Sequence, residues 1–206
     1  KDEGKPSISD VTEVHDTDIF GDTDDMIVEE NQKLEFLNTN ETKYVHVFAH
    51  SHTDLGWLST VEDYFNGNRL DFYIGSVKQM FDTVKTSLEK DPRRKFNYAE
   101  MKFFKMWWQD LSDKQKAETK KLLENGQWSI LNGGLSAPDE AVTNADDILD
   151  NFMAGHRFLR DDVGLSESHL PKTSWQLDSF GVSKGYARLA HDLGFDSMFF
   201  SRVDAQ

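Results

Sequence analysis

The chain has 206 residues with 37 acidic and 23 basic side chains, a formal net charge of −14 and a pI near 4.8. This charge argues against nucleic acid as a partner, because phosphates would be repelled, and no apolar run approaches the roughly 18 to 20 residues of a membrane-spanning helix. Hydrophobic residues make up 37% of the chain and aromatic residues 12%, which agrees with one soluble globular domain with its own core.

Residues 1–43 form an acidic segment with few apolar positions, which predicts a flexible or peripheral arm before the folded domain. The chain begins at Lys1 and shows no apolar signal-peptide core, which indicates a processed polypeptide. It contains no cysteine, so no disulfide forms within it. The sequon Asn40-Glu-Thr makes Asn40 a candidate glycosylation site and favours a lysosomal or secreted location.

The first predicted strand is followed by a motif of imidazoles and a carboxylate. Residues 44–49 are β-branched and aromatic, which predicts a buried strand, and residues 50–57 read His-Ser-His-Thr-Asp-Leu-Gly-Trp, ending in a turn signal. Residues two apart on an extended chain point to the same side, so His52 and Asp54 can reach one ion, with His50 in the same row. Imidazole nitrogen and carboxylate oxygen are zinc ligands. The alternative is that these are ordinary polar residues at a loop.

Strand-like and helix-like patterns alternate from residue 44 onwards, which predicts an α/β fold with a parallel sheet and crossover helices. The helical periodicity through 101–111 favours a core position for Trp108 over a sugar-binding platform. A capping box at Ser112 begins the next predicted helix. Helices are predicted over 74–88, 101–111, 112–123, 148–159 and 186–193, and strands over 128–131, 173–177 and 197–201.

A second carboxylate follows the predicted strand at 173–177. Asp178 lies between Trp175 and Phe180, beside aromatic faces of the kind on which sugar rings stack. The carboxyl ends of strands are where α/β folds place their chemistry. The alternative interpretation is that Asp178 is the N-cap of the helix that follows.

The motifs that carry a family resemblance are distributed over most of the chain. They occur in the order 50–57, 98–104 with Trp107 and Trp108, 132–141, 155–158 and 175–181. In sequence and order they resemble the N-terminal catalytic domain of glycoside hydrolase family 38 α-mannosidases, most of all the lysosomal members with acidic optima. The resemblance covers residues 44–206. It implies a distorted parallel β/α barrel, seven-stranded in the family, of which this chain supplies the N-terminal β/α units.

The resemblance also implies a zinc ion held by His52, Asp54 and Asp178. Asp178 matches the family's catalytic nucleophile, which attacks the anomeric carbon and forms a covalent mannosyl-enzyme in a retaining hydrolysis. A zinc-bound carboxylate stays ionised, and the metal also binds sugar hydroxyls. The implied activity is hydrolysis of terminal α-mannosyl residues of N-glycan-type oligosaccharides.

Further residues and partners follow from the same resemblance. Trp57 and Phe180 match positions that line the mannose-binding pocket, and Arg202 matches an arginine near the nucleophile. The family's acid/base residue and its remaining zinc histidine lie further along the family's chain. The expected partners are therefore the remaining chains of the same processed precursor, and the assembled enzyme is expected to be a homo-oligomer.

Two positions depart from the family pattern. Val182 replaces a histidine after the nucleophile motif, which removes an imidazole close to the site, and Leu135 replaces a tryptophan after the Gly-Gly pair. Asp139 and Glu140 match positions near the active-site rim. Two other functions remain open: a zinc-dependent carbohydrate deacetylase, which also uses strand-end Asp and His in a β/α barrel, and a non-catalytic structural or carbohydrate-binding fragment.

Overall fold

The computed structural model describes residues 45–68, 75–178 and 181–201. The predicted acidic arm at 1–43 and the candidate residues Asn40, Phe180 and Arg202 lie outside these ranges. Their predicted roles, and the domain boundary before residue 44, stay predictions.

Helices and strands alternate along the described chain, which confirms the predicted α/β class. A π-helical turn, Phe158–Asp162, and a 3-10 turn, Glu167–His169, follow the fifth helix. In chain order the elements are α1 (Val61–Asn66), α2 (Val77–Lys90), β1 (Phe96–Tyr98), α3 (Met101–Asp110), α4 (Asp113–Glu124), β2 (Trp128–Ile130), α5 (Ala145–Arg157), β3 (Thr173–Gln176), α6 (Lys184–Asp192) and β4 (Ser197–Phe200).

The strands pair in parallel as two two-stranded sheets, β1 with β2 and β3 with β4. The segment 45–50 joins β1 through a parallel bridge between His50 and Asn97, whose backbone N–H donates to Ala49 O at 2.9 Å. Just beyond β2, Asn132 N–H donates to Thr173 O at 2.9 Å and so connects β2 to β3. Backbone hydrogen bonds therefore link these four segments in the order 45–50, β1, β2, β3.

The prediction of a buried strand over 44–49 is wrong for the part that the structure describes. Val45 is 77% exposed and Val47 is 87% exposed. Sheet pairing of residues 45–50 is limited, within the described ranges, to the end of the segment at His50. Branched side chains favour an extended backbone, but burial requires elements that cover them, and no described element does so here.

The largest core cluster is aromatic and lies between α2, α3 and β2. Phe81, Phe104, Trp107 and Trp128 are all at most 1% exposed, and their ring centroids lie 5.4 to 5.8 Å apart. Rings at these separations contribute favourable contacts beyond the area that they bury. Trp108 is 6% exposed and belongs to the same core, which confirms the predicted core position.

Helix ends follow the signals in the sequence. Ser112 accepts a hydrogen bond from Gln115 N–H, and the Gln115 side chain accepts one from Ser112 N–H, so the predicted capping box is present. The N-cap of helix α6 is not Asp178, the residue that one interpretation of the sequence suggested. Its N-cap is Ser183, whose hydroxyl accepts from Tyr186 N–H at 2.9 Å. The interpretation of Asp178 as the helix N-cap is therefore wrong.

Helix α5 packs directly on the loop that follows β2, because Gly155 has no side chain. A Cβ on Gly155 would lie 1.9 Å from Gly133 O and 3.0 Å from Gly134 C. Asn151, one turn earlier, donates to Ser136 O at 2.9 Å and accepts from Ser136 N–H at 3.0 Å. The loop is thus held against α5 by backbone contact and by a paired side-chain hydrogen bond.

We expect Gly155→Ala to destabilise the fold, since the added methyl group forces α5 away from the loop. Overpacking of this kind costs about 1 to 3 kcal/mol, and more where backbone must move. Urea unfolding followed by circular dichroism measures the change in the free energy of unfolding.

Gly185→Ala is the matched control. Gly185 is exposed on α6, and the nearest atom to its Cβ position is Ser183 Oγ at an ordinary 3.5 Å. Because alanine favours the helix, its stability should be unchanged or up to about 1 kcal/mol higher. Equal losses in the two variants would contradict the close contact at Gly155.

Candidate metal centre

His52, Asp54 and Asp178 come together although they are far apart in sequence. One donor atom from each lies within 4.8 Å of the other two. His52 Nε2 is 3.1 Å from Asp54 Oδ1 and 3.2 Å from Asp178 Oδ2. All three side chains are partly exposed. We call this group the donor cluster; the sequence predicted that these residues share one site, and the structure places them together.

Parallel pairing explains the convergence. His52 and Asp54 follow the extended segment 45–50, and Asp178 follows β3. The segment 45–50 and the strands β1, β2 and β3 are linked side by side, and parallel neighbours place their carboxyl ends on the same side. The cluster lies just after these ends, because Asp54 follows the segment 45–50 and Asp178 follows β3, with β1 and β2 between them.

Asn132, which follows β2, is hydrogen-bonded to β3 through its side chain, and no motif in the sequence had indicated this role. Its side chain is fully buried, donates to Trp175 O at 2.6 Å and accepts from Trp175 N–H at 2.6 Å. Its φ of 54° is in the left-handed region, where asparagine is among the least strained non-glycine residues. The Asn-Gly-Gly run was a sequence signal of such a turn. These two hydrogen bonds hold the backbone of β3 shortly before Asp178.

Glu100 is a second residue that sequence reasoning missed. It lies between β1 and α3, is 2% exposed, and has Oε1 at 3.0 Å from His52 Nδ1. The approach is close enough for an ion pair but is not aligned as a good hydrogen bond. An acidic residue inside the largely aromatic run Phe-Asn-Tyr-Ala-Glu-Met-Lys-Phe-Phe was the available signal.

Carboxylates around His52 change its protonation. The contact with Glu100 is the largest cause that raises the pKa of His52, to about 9; burial opposes it, and the charges of Asp54 and Asp178 add to it. Burial raises the pKa of Glu100, and the neighbouring His52 opposes that shift. Without a metal, His52 is therefore an imidazolium at neutral pH.

The donor cluster suits a divalent cation. One imidazole nitrogen and two carboxylate oxygens are ligands that zinc and similar transition metals accept. The carboxylates exceed the single imidazolium in charge, so a cation at this point relieves their repulsion. The three side chains supply fewer ligands than a four-coordinate ion takes, which leaves room for others.

Of the remaining predicted positions, Trp57, His50 and Glu140 are described, whereas Asn40, Phe180 and Arg202 lie outside the described residues. Trp57 is 74% exposed on the loop after Asp54. His50 is not part of the donor cluster; its ring makes an edge contact with Trp175 at 5.2 Å between centroids. Glu140 Oε2 accepts from Ser183 N–H at 2.9 Å, so Glu140 supports the start of α6.

Comparison with known proteins identifies a family. The family model described as "Glycosyl hydrolases family 38 N-terminal domain" matches residues 42–206. The chain is 40% identical over 162 residues to a lysosomal alpha-mannosidase of Dictyostelium discoideum, 41% over 164 residues to an alpha-mannosidase of Canavalia ensiformis and 38% over 162 residues to a lysosomal alpha-mannosidase of Mus musculus. Each match covers 79% of this chain but only 16% of the relative.

A solved structure shares the fold. The crystal structure of an alpha-mannosidase from Enterococcus faecalis superposes with a TM-score of 0.57 at 19% identity, over 74% of this chain and 16% of that one. No helix within 45–68, 75–178 and 181–201 is long and apolar enough to cross a membrane. The sequence match over most of the chain shows that it belongs to glycosyl hydrolases family 38 and carries part of the family's N-terminal domain.

Proposed function

We propose that this chain forms part of a zinc-dependent, retaining α-mannosidase that hydrolyses terminal α-mannosyl residues of N-glycan-type oligosaccharides. The observation that carries the proposal is the convergence of His52, Asp54 and Asp178, whose donor atoms lie within 4.8 Å of one another. Family membership and the names of the relatives, all alpha-mannosidases, support the reaction class.

His52 Nε2 and the carboxylates of Asp54 and Asp178 would hold the zinc ion. When bound, zinc supplies positive charge that keeps the carboxylates ionised and binds sugar hydroxyls. A neutral imidazole can bind the ion through Nε2 only if its one ring hydrogen is on Nδ1, which faces Glu100. Trp57, exposed on the loop after Asp54, offers an aromatic face to a sugar ring.

Asp178 is the nucleophile in this proposal. Its carboxylate is partly exposed at the sheet edge, so an anomeric carbon can approach it. Attack forms a mannosyl ester on Asp178 and releases the leaving oxygen, which a second carboxyl group protonates; water assisted by that group then cleaves the ester. Phe180 and Arg202 are proposed to contact the sugar beside Asp178.

The rest of the enzyme is assigned to further polypeptide. The chain spans 16% of the length of the relatives named above, and the donor cluster supplies three ligands. We place the acid/base carboxyl group and a further histidine ligand in that remainder, and the described strands in the N-terminal units of a distorted seven-stranded β/α barrel. A lysosomal location agrees with the names of two relatives. Glycosylation at Asn40 and a homo-oligomeric assembly stay predictions.

Trapping with a fluorinated mannoside tests the nucleophile. In the enzyme assembled with the remaining polypeptide, the label should attach to Asp178, and Asp178→Asn should lower kcat by at least about 10³-fold, since no covalent ester can form. Peptide mass spectrometry locates the label. Asp146→Asn, at an exposed position on α5, is the matched control and should keep full activity. Hydrolysis of acetamido sugars without any trapped ester would favour the deacetylase instead.

Zinc affinity should depend steeply on pH because of His52. With a pKa of about 9 in the metal-free chain, His52 is protonated below that pH, and zinc must displace this proton. Affinity should therefore fall about tenfold for each pH unit between pH 8 and pH 6. Chelator competition measures the Kd, and calorimetry in buffers of different ionisation heat counts the proton released.

The free energy of unfolding of the metal-free chain should decrease as the pH rises, whereas zinc affinity should increase. A raised pKa means that protonated His52 stabilises the fold fully below pH 6.5 and that this contribution is lost as the pH rises through about 9. His52→Ala should abolish both effects, whereas His169→Ala, at an exposed position, should leave them unchanged. Zinc affinity that stays constant from pH 6 to pH 8 would contradict the assignment of His52 as a ligand.

A further inference from the structure

Glu100 is the one carboxylate among the described residues whose side chain is buried, and the mechanism above gives it no role. Neither of its oxygens makes a well-formed hydrogen bond within the described part of the chain. Burying an ionised carboxylate is strongly unfavourable unless a positive or hydrogen-donating partner compensates. Its closest polar partner is His52 Nδ1, at 3.0 Å.

The backbone around α3 directs Glu100 toward His52. Glu100 occupies the N-cap position of α3 but makes no capping hydrogen bond with its side chain. Met101 N–H donates instead to Gly134 O, and Lys102 N–H donates to Leu135 O, both at 3.0 Å. These carbonyl groups of the loop after β2 satisfy the first N–H groups of the helix, which is the usual task of an N-cap side chain. The Glu100 carboxylate is thereby free to face the imidazole.

We infer that Glu100 is a positioning residue for the metal centre, which keeps the His52 hydrogen on Nδ1 and the Nε2 lone pair directed at the bound ion. The inference rests on the proposed zinc site. Nε2 already faces Asp54 and Asp178, at 3.1 and 3.2 Å, so the orientation that Glu100 favours is the one in which all three donors share one ion. Metal-binding histidines commonly donate their second ring N–H to a carboxylate, which orients the ring and increases its basicity.

Glu100 is more deeply buried than the ligands that it serves. It is 2% exposed, whereas the side chains of His52, Asp54 and Asp178 are between 27% and 39% exposed. A partly exposed ligand on a loop gains from a buried partner behind it, because fewer orientations are lost when the metal binds. Glu100, which lies between β1 and α3, contacts the imidazole ring at Nδ1, and Nε2 remains available to the ion.

Zinc affinity of the full 206-residue chain tests the inference. Competition with a metal-responsive chelator should show a 10- to 100-fold higher Kd for Glu100→Ala. Glu100→Gln keeps the shape and one hydrogen-bond acceptor but loses the charge, so we expect a smaller loss of affinity. Glu118→Gln removes a carboxylate from the remote ion pair with Lys85 and should bind zinc as tightly as the unaltered chain.

A second measurement separates positioning from a purely structural role. Removing an incompletely paired buried carboxylate should leave the melting temperature of the metal-free Glu100→Gln chain unchanged or raise it, while zinc affinity falls. In long-range 1H–15N spectra of the zinc-loaded chain, His52 should carry its hydrogen on Nδ1, and this signal should weaken in Glu100→Ala.

The outcomes distinguish this inference from the proposed function. Wild-type affinity in both Glu100 variants would overturn the positioning role and leave the zinc site standing. A loss of affinity that only parallels a lower melting temperature of the metal-free chain would also overturn it. Failure of zinc to bind to the enzyme assembled with the remaining polypeptide would overturn both proposals.

Discussion

His52 has carboxylates on both sides of its ring: Glu100 lies 3.0 Å from Nδ1, and Asp54 and Asp178 lie 3.1 and 3.2 Å from Nε2. Carboxylates this close repel one another unless positive charge lies between them. The imidazolium supplies that charge in the metal-free chain, and a cation would supply more of it. The scaffold must therefore hold acidic groups in positions that they would leave if they were unconstrained.

The scaffold does so from two directions. The aromatic core around Phe81 and Trp107 packs α2 and α3 against β2, which places Glu100 at the start of α3. On the other side, Asn132 clamps the backbone of Trp175, and the loop after β2 packs on α5 at Gly155. The same loop also caps α3 through Gly134 and Leu135, so one segment supports both the buried carboxylate and the strand that leads to Asp178.

The outer segments of the described strands are more exposed than this core. Val47 in the first extended segment and Phe199 and Phe200 in β4 expose apolar side chains, although their residue types are those of buried strands. Phe48 and Phe199 touch each other, with ring centroids 5.1 Å apart, so the first and last described strand segments approach through their side chains. The prediction of a buried first strand was wrong because it inferred coverage from residue type alone.

The sequence by itself determined the local structure and half of the chemistry. Capping signals at Ser112 and helical periodicity through 101–111 depend on neighbours within one or two turns, and both are present. The His-x-Asp spacing and the carboxylate after β3 were also readable, because side chains two apart on an extended chain share a side. Only the tertiary structure decided that Glu100 faces His52 and that Asn132 joins β2 to β3. These contacts join residues from different elements, and their partners follow from parallel strand order and helix packing, which no local pattern encodes.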